Sequence, residues 1–321
     1  MHMDNFVPGS GDPIFHESHV NMERFINEFK KRSRYSRSLE DGKTTITNGE
    51  SHYLVERITS GRKTENKKAA REVHSFLDQI FGEDEMGDKE EFEHAIKNGI
   101  FDFTTIRDEK GEILSVICSQ NVDSLKSSDQ MLAIWYIATK EDQQSKGFAL
   151  ELYQSVYETA LADARNNGKG ISAVVGEAVD EVEGYLNKMG RRRTYFYNQV
   201  GDLVEIPFPQ PPIDASTADE KPPEEHLMIR FLDEKKECSV EEILDIIKTL
   251  FYQYIDPRYD ELYDSKKEAD AVKKRTKALF EEVKKKLSEA HEGKVILLSA
   301  DEREEKRKEL EKSGHNIIEA G

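Results

Sequence analysis

The pattern of apolar and polar positions is most informative between residues 131 and 170. Residues 131–138 are apolar without alternation, as in a strand covered on both faces. A polar elbow, 139–146, follows. Gly147 then leads into a run in which Ala149, Leu152, Tyr153, Val156, Ala160, Leu161 and Ala164 recur three and four apart, predicting a helix with one buried face. Asn166, Asn167 and Gly168 end it.

Upstream, residues 1–20 lack periodicity and read as an arm, and 21–32 as a short helix with Met22, Phe25, Ile26 and Phe29 on one face. The basic run 31–37, which includes Tyr35, reads as a solvated face. Gly42-Lys43-Thr44 reads as a turn, because the glycine that a nucleotide loop needs five positions earlier is Arg37. Residues 52–58 predict a strand, 65–81 a helix with Ala69, Val73, Phe76, Leu77 and Ile80 inside, and 89–98 a shorter helix closed by Gly99. Two strands, 101–107 and 112–121, are joined by the hairpin signal Asp108-Glu109-Lys110-Gly111.

Downstream, 171–175 is a β-branched run fit for a strand, and Asp180-Glu181-Val182-Glu183 forms a capping box for a short helix ending at Met189. Strands at 194–198 and 226–232 are separated by a stiff proline-rich connection. A second capping box, Ser239-Val240-Glu241-Glu242, starts a helix whose Ile243, Ile246, Ile247, Leu250, Phe251 and Tyr254 form a wide apolar face. Residues 264–291 predict a long charged helix with Val272, Leu279, Phe280, Val283 and Leu287 on one stripe, suited to docking or to pairing with a helix of a second copy. A strand at 295–298, a polar helix at 301–312 and a strand at 316–318 close the chain. Three regions result: an arm and short helix over 1–50, a central domain over 51–235, and a mainly helical extension over 236–321.

At 321 residues the chain exceeds one typical domain. Its charge of 47 minus 64, or −17, argues against general affinity for nucleic acid and suits a cationic amine substrate. Cys118 and Cys238 are far apart in sequence and supply no disulfide framework. His16-Glu17-Ser18-His19 lacks a third convergent ligand, so no metal is expected. Without a run of roughly 18 apolar residues or a signal-peptide core, the expectation is a cytoplasmic protein off the membrane.

A strand that turns abruptly into a helix aims unpaired N–H groups and the positive end of the helix dipole at the elbow, which suits an anion. The elbow reads Gln144-Ser145-Lys146-Gly147-Phe148-Ala149, a Gln-x-x-Gly-x-Ala pattern. Here the chain resembles the GNAT superfamily of N-acetyltransferases, over about residues 51–232. The resemblance implies an α/β (α+β) fold with a mixed, mostly antiparallel central sheet flanked by helices. It implies acetyl-CoA as acyl donor and a primary amine of a small molecule or peptide as acceptor. Main-chain amides of the loop Gln144, Ser145, Lys146, Gly147, Phe148 and Ala149 would wrap the pyrophosphate, with Ile137 and Ala138 as further cofactor-binding residues. Gly147 lets the backbone approach, and Ala149 is small.

In that superfamily a main-chain amide of the fourth strand meets the thioester carbonyl; the corresponding positions are Trp135, Tyr136 and Ile137. Members often carry Tyr-x-x-x-Gly-Phe, the tyrosine protonating the departing thiolate. With Gly190 as that glycine, the position holds Leu186, and Arg191 replaces the phenylalanine. Tyr185 lies one residue earlier, about 100° away on a helix. Three alternatives stand: Tyr185 serves in an altered helix, thiolate departs unassisted, or the protein is not catalytic. Glu177 is the best-placed base, Asp180 being engaged in capping. Lys146 is next to the expected phosphates; Arg191, Arg192 and Arg193 read as a solvated strand entrance. The competing function is a degenerate GNAT-like protein, binding CoA or nothing, that works through its C-terminal helices. A third reading makes the region of Tyr252, Tyr254, Tyr259 and Tyr263 a lid.

Overall fold

The computed structural model describes residues 13–40, 43–59, 63–81, 89–125, 129–179, 202–204, 208–209, 224–233, 235, 237–252, 265–290 and 294–298. From one edge, its sheet runs β1 (Ser36–Glu40), β2 (Lys43–Asn48), β3 (Ser51–Ile58), β4 (Asp102–Arg107), β5 (Ile113–Asp123), β6 (Gln130–Thr139) and β7 (Ile171–Val179). It continues through β10 (Glu224–Phe231), β8 (Asp202–Val204), β12 (Lys294–Leu298) and β11 (Glu237–Ser239), with β9 (Phe208–Pro209) also on β10. Six helices accompany it among the described residues: α1 (Pro13–Arg32), α2 (Lys63–Phe81), α3 (Lys89–Lys97), α4 (Phe148–Asn166), α5 (Val240–Tyr252) and α6 (Lys266–Ala290).

Neighbouring strands are antiparallel except β6 and β7, which run parallel because α4 carries the chain back between them. The mixed, mostly antiparallel sheet with flanking helices is therefore as the sequence predicts. Alternation along β6 separates two cores: Leu132 and Ile134 join α1 and α4 on one face, while Met131 and Ala133 join α5 and α6 on the other. On that second face α2 and α3 cover β4 and β5, and Trp135 packs against both groups. Phe29 of α1 meets Tyr157 of α4 edge-on at 5.2 Å.

The second capping box forms both of its reciprocal bonds: Glu242 N–H donates to Ser239 Oγ at 3.1 Å, and Ser239 N–H to Glu242 Oε2 at 2.9 Å. The predicted apolar positions Ile243, Ile246, Ile247, Leu250 and Phe251 of α5, and Leu279, Val283 and Leu287 of α6, are buried in the second core. Gly99 and Gly111 adopt positive φ where the helix and the hairpin turn need it. The two cysteines are free and buried.

The structure corrects four readings. The first helix begins at Pro13, well before the predicted 21. The basic run is not simply a solvated face: its end enters β1, where Arg37 pairs with Glu158 at 3.8 Å and donates to Ser155 on α4, and Lys43 and Thr44 of the expected turn lie in β2, Gly42 being outside the described residues. Ala149 is only half-buried, whereas Phe148 and Tyr157 are buried, because α1 lies along α4 and widens its covered arc. Trp135, Tyr136 and Ile137 are not covered on both faces but partly exposed. The elements expected at 180–189, 194–198 and 301–318 lie outside the described residues.

Candidate functional site

The exposure of Trp135 to Ile137 marks a fork in the sheet. Pairing between β6 and β7 proceeds from Gln130 opposite Ile171 to Ile134 opposite Gly176 and stops there, although both strands continue. β7 stays paired to β10 as far as Val179, and β6 stays paired to β5 as far as Thr139. The facing edges of the two strands beyond the vertex thus carry main-chain groups without a ladder partner.

Two local devices make the fork. Against β5 the register jumps from Cys118 opposite Tyr136 to Ser119 opposite Ile134, leaving Trp135 as the extra residue of a β-bulge that bends β6. At the vertex, a Cβ on Gly176 would stand 3.3 Å from the Ile134 carbonyl oxygen, so a glycine is what allows the strands to touch before they part. The Nε1 of Trp135 is buried with no hydrogen-bond partner among the described residues.

The elbow lies at the same end. After β6 come Lys140, a 3₁₀ turn (Glu141–Gln143), and Gly147, which caps α4 in the left-handed region with φ 91. Ser145 is left-handed too, at φ 68. The two left-handed positions, Ser145 and Gly147, are separated by Lys146 and break the regular course of the backbone just before α4. The N–H groups of Ser145, Gly147, Phe148 and Ala149 have no acceptor among the described residues. A Cβ on Gly147 would come within 3.9 Å of Tyr35, and its φ is strained for any other residue.

Side chains brace the elbow rather than supply its charge. Gln144 Nε2 donates to the Thr139 carbonyl at 3.4 Å, and Lys146 Nζ turns back to Gln143 Oε1 at 2.7 Å. Glu141 and Asp142 are exposed on the turn, so attraction for an anion falls to the backbone amides and the dipole of α4. Ala138 is buried and Ile137 partly so, both paired to β5 at the foot of the elbow.

Sequence reasoning missed Tyr35, Tyr53 and Glu151. Tyr35 donates its hydroxyl to the Lys146 carbonyl at 3.0 Å and stacks on Phe148 at 5.7 Å, with Tyr53 edge-on to Phe148 at 4.9 Å. Burial, reinforced by Tyr53 and Glu151, pushes the Tyr35 phenol up to about 12, so it stays a donor. Glu151, in the first turn of α4, is 2% exposed and accepts from Ser33. Burial raises its pKa, while Ser33 and Arg37, 4.0 Å away, oppose the rise. Tyr35 and Lys146 are 111 positions apart, which no local pattern reveals; a glycine inside a strand pattern was the one available signal for Gly176.

The structure brings residues 137–149 together at the fork. Glu177 is the first residue of β7 past the vertex, opposite Leu227 of β10; its side chain and the whole of Tyr185 and Arg191 to Arg193 lie outside the described residues. Among the described residues, no helix is long and apolar enough to cross a membrane, and no group of three or more His, Cys, Asp or Glu could hold a metal ion.

No protein-family model matches the sequence, and no curated protein is significantly similar to it. Solved structures similar to part of the chain include an aminoglycoside acetyltransferase, meta-AAC0020, from an uncultured soil metagenomic sample, in complex with trehalose. It is 14% identical over 46% of this chain and 86% of that one, with a TM-score of 0.36. Arabidopsis thaliana NAA60 in complex with acetyl-CoA is 11% identical over 56% of this chain and 99% of that one, at 0.39. An acetyltransferase of the GNAT family from Staphylococcus aureus Mu50 is 14% identical over 56% and 99%, at 0.35.

Proposed function

We propose that the protein is a GNAT-type N-acetyltransferase that moves the acetyl group of acetyl-CoA to a primary amine. The observation that carries this reading is the coincidence of two features at one end of β6: the strands part after Ile134 and Gly176, and the elbow presents four amides without acceptors. The first is a slot for an extended thioester arm, the second a grip for its diphosphate.

Holding the two reactants in place is the largest demand, since placement alone supplies roughly 7–11 kcal/mol of such a barrier. The amides of Ser145, Gly147, Phe148 and Ala149 grip the pyrophosphate. A main-chain donor on the free edge of β6, at Trp135 to Ile137, polarises the thioester carbonyl as it becomes an oxyanion. Glu177 takes the proton from the ammonium; the neutral nitrogen attacks the carbonyl carbon, the C–S bond breaks as the tetrahedral intermediate collapses, and the second proton lost by nitrogen replaces the one that Tyr185 or water gives to the thiolate. The alternative, an interaction protein working through its C-terminal helices, is not favoured, because the apolar faces of α5 and α6 are buried against the sheet and each other.

Titration calorimetry with acetyl-CoA, followed by a thiol-release assay over polyamines, amino acids, aminosugars and peptides, tests the reading. Binding and turnover are expected, with turnover reduced about 10²-fold or more in Glu177→Gln. Absence of acetyl-CoA binding at high micromolar ligand would defeat the proposal.

A further inference from the structure

The short link between α1 and β1, residues 33–35, lies against the first turn of α4 and the elbow before it. Side-chain bonds fix its shape. Ser33 Oγ accepts the Tyr35 N–H at 3.0 Å, a local turn in which a hydroxyl stands in for a backbone carbonyl. The same hydroxyl donates to Glu151 Oε1 on α4, and the Tyr35 hydroxyl donates to the Lys146 carbonyl at 3.0 Å. Glu151, Ser33, Tyr35 and Lys146 thus form one hydrogen-bonded line that ends in the elbow.

Glu151 is the member whose presence needs a reason. It is buried, and a buried carboxylate is tolerated only where it is paired and hydrogen-bonded. An apolar side chain would cover the core here without that penalty, as the neighbouring Phe148 and Leu152 do. The place is also unfavourable for the proposed ligand, because a negative charge in the first turn of α4 opposes the anion that the elbow would hold. What the carboxylate holds lies outside its own helix. Oε1 takes the Ser33 hydroxyl, and Oε2 stands 4.0 Å from Arg37 Nη1. Arg37 has a second acidic neighbour in Glu158, at 3.8 Å, and its other terminal nitrogen donates to Ser155. The alternative acceptor for Ser33, the Tyr35 carbonyl at 3.3 Å, belongs to the link itself and ties it to nothing on α4. Ser33 is therefore the partner that depends on Glu151.

We propose that Glu151 is a positioning residue for the acetyl-CoA grip: by accepting from Ser33 it fixes the turn that carries Tyr35 to the Lys146 carbonyl, and so sets the shape of the elbow. This rests on the transferase reading, which puts acetyl-CoA at the elbow. The carboxylate touches no reactant, and its effect reaches the ligand through the hydrogen-bonded line. The ligand then needs the acceptor oxygen at this position, not the charge. The two are separable, because glutamine keeps an oxygen and loses the charge, whereas methionine loses both.

Titration calorimetry of the full chain with acetyl-CoA decides it. Glu151→Met is expected to bind about three- to tenfold more weakly than the wild type, the range of one hydrogen bond, and Ser33→Ala, at a partly buried position, about as weakly. Glu151→Gln should stay within about twofold of the wild type, although it removes the same charge. In a Tyr35→Phe background Glu151→Met should add little, because the line is already cut. Should Glu151→Met fail to fold, Ser33→Ala and Glu151→Gln carry the comparison. Unchanged or tighter binding in Ser33→Ala, equal weakening by glutamine and methionine, or additive losses in the double variant would overturn the proposal and leave the transferase reading in place. No acetyl-CoA binding by the wild type would defeat both.

Discussion

Among the described residues, the first turn of α4 offers donors without acceptors, the amides of Ser145, Gly147, Phe148 and Ala149, while beyond its last turn the buried carbonyl oxygen of Gln130 is an acceptor without a donor. The contrast follows the direction of the helix. Unpaired N–H groups and positive potential gather at one end, and carbonyl-rich negative potential at the other. The two ends of one helix thus differ in the kind of polar group they leave unmet. What differs too is the source of those groups: backbone at the elbow, a side chain beyond the last turn.

The largest effect should come from unseating the helix. Leu152 of α4 is fully buried, and Leu152→Ala is expected to cost about 2–5 kcal/mol in urea unfolding, weakening acetyl-CoA as well because the elbow depends on the seating of that helix. Next, Gly147→Val forces a β-branched residue into φ 91. About 1–3 kcal/mol of strain should weaken acetyl-CoA roughly 10- to 100-fold by calorimetry. Unchanged acetyl-CoA binding in that variant would show that the elbow does not hold the ligand. Tyr35→Phe removes only the hydrogen bond to the Lys146 carbonyl. A loss of about 0.5–1.5 kcal/mol predicts up to roughly tenfold weaker acetyl-CoA by calorimetry.

The smallest effect is in pH, where a carboxylate at each end shifts in the opposite direction. Asp123 is held below its ordinary range chiefly by the hydrogen bond from Lys169, so it stabilises the fold above its unfolded pKa, and that contribution fades as pH falls through its folded value. Glu151 is raised by burial, so its share runs the other way: stability declines as pH rises from its unfolded pKa through its folded one. Urea unfolding over about pH 3 to 7 should show a flatter acid limb in Asp123→Asn and a gentler decline toward neutral pH in Glu151→Gln. Asp123 is largely exposed, so its change should be the lesser of the two.

Much of the anion end was legible in the sequence because its instructions are local. An unbroken apolar run, a glycine, and a three-and-four periodicity describe strand, elbow and helix within forty positions, and the amides that matter are displayed by the turn itself. The same locality explains why the Ser239–Glu242 cap was readable. The hairpin at β1 and β2 was not, because its polar residues become structural only through partners on α4: Arg37 reads as solvated until Glu158 and Ser155 are placed beside it. The fork was half-readable. Its apolar strand was plain, but the bulge at Trp135 and the close approach at Gly176 exist only as relations between strands.

The sequence by itself determined most of the helices and strands around the elbow and where α4 starts, because backbone preferences and hydrophobic period act over a few neighbouring residues. Only the tertiary structure decided that β6 and β7 part beyond Ile134, that Tyr35 braces the elbow, and that the buried Glu151 accepts from Ser33. Those outcomes depend on packing between segments far apart in the chain, where burial and unmet hydrogen bonds are properties of the assembled fold rather than of any residue within it.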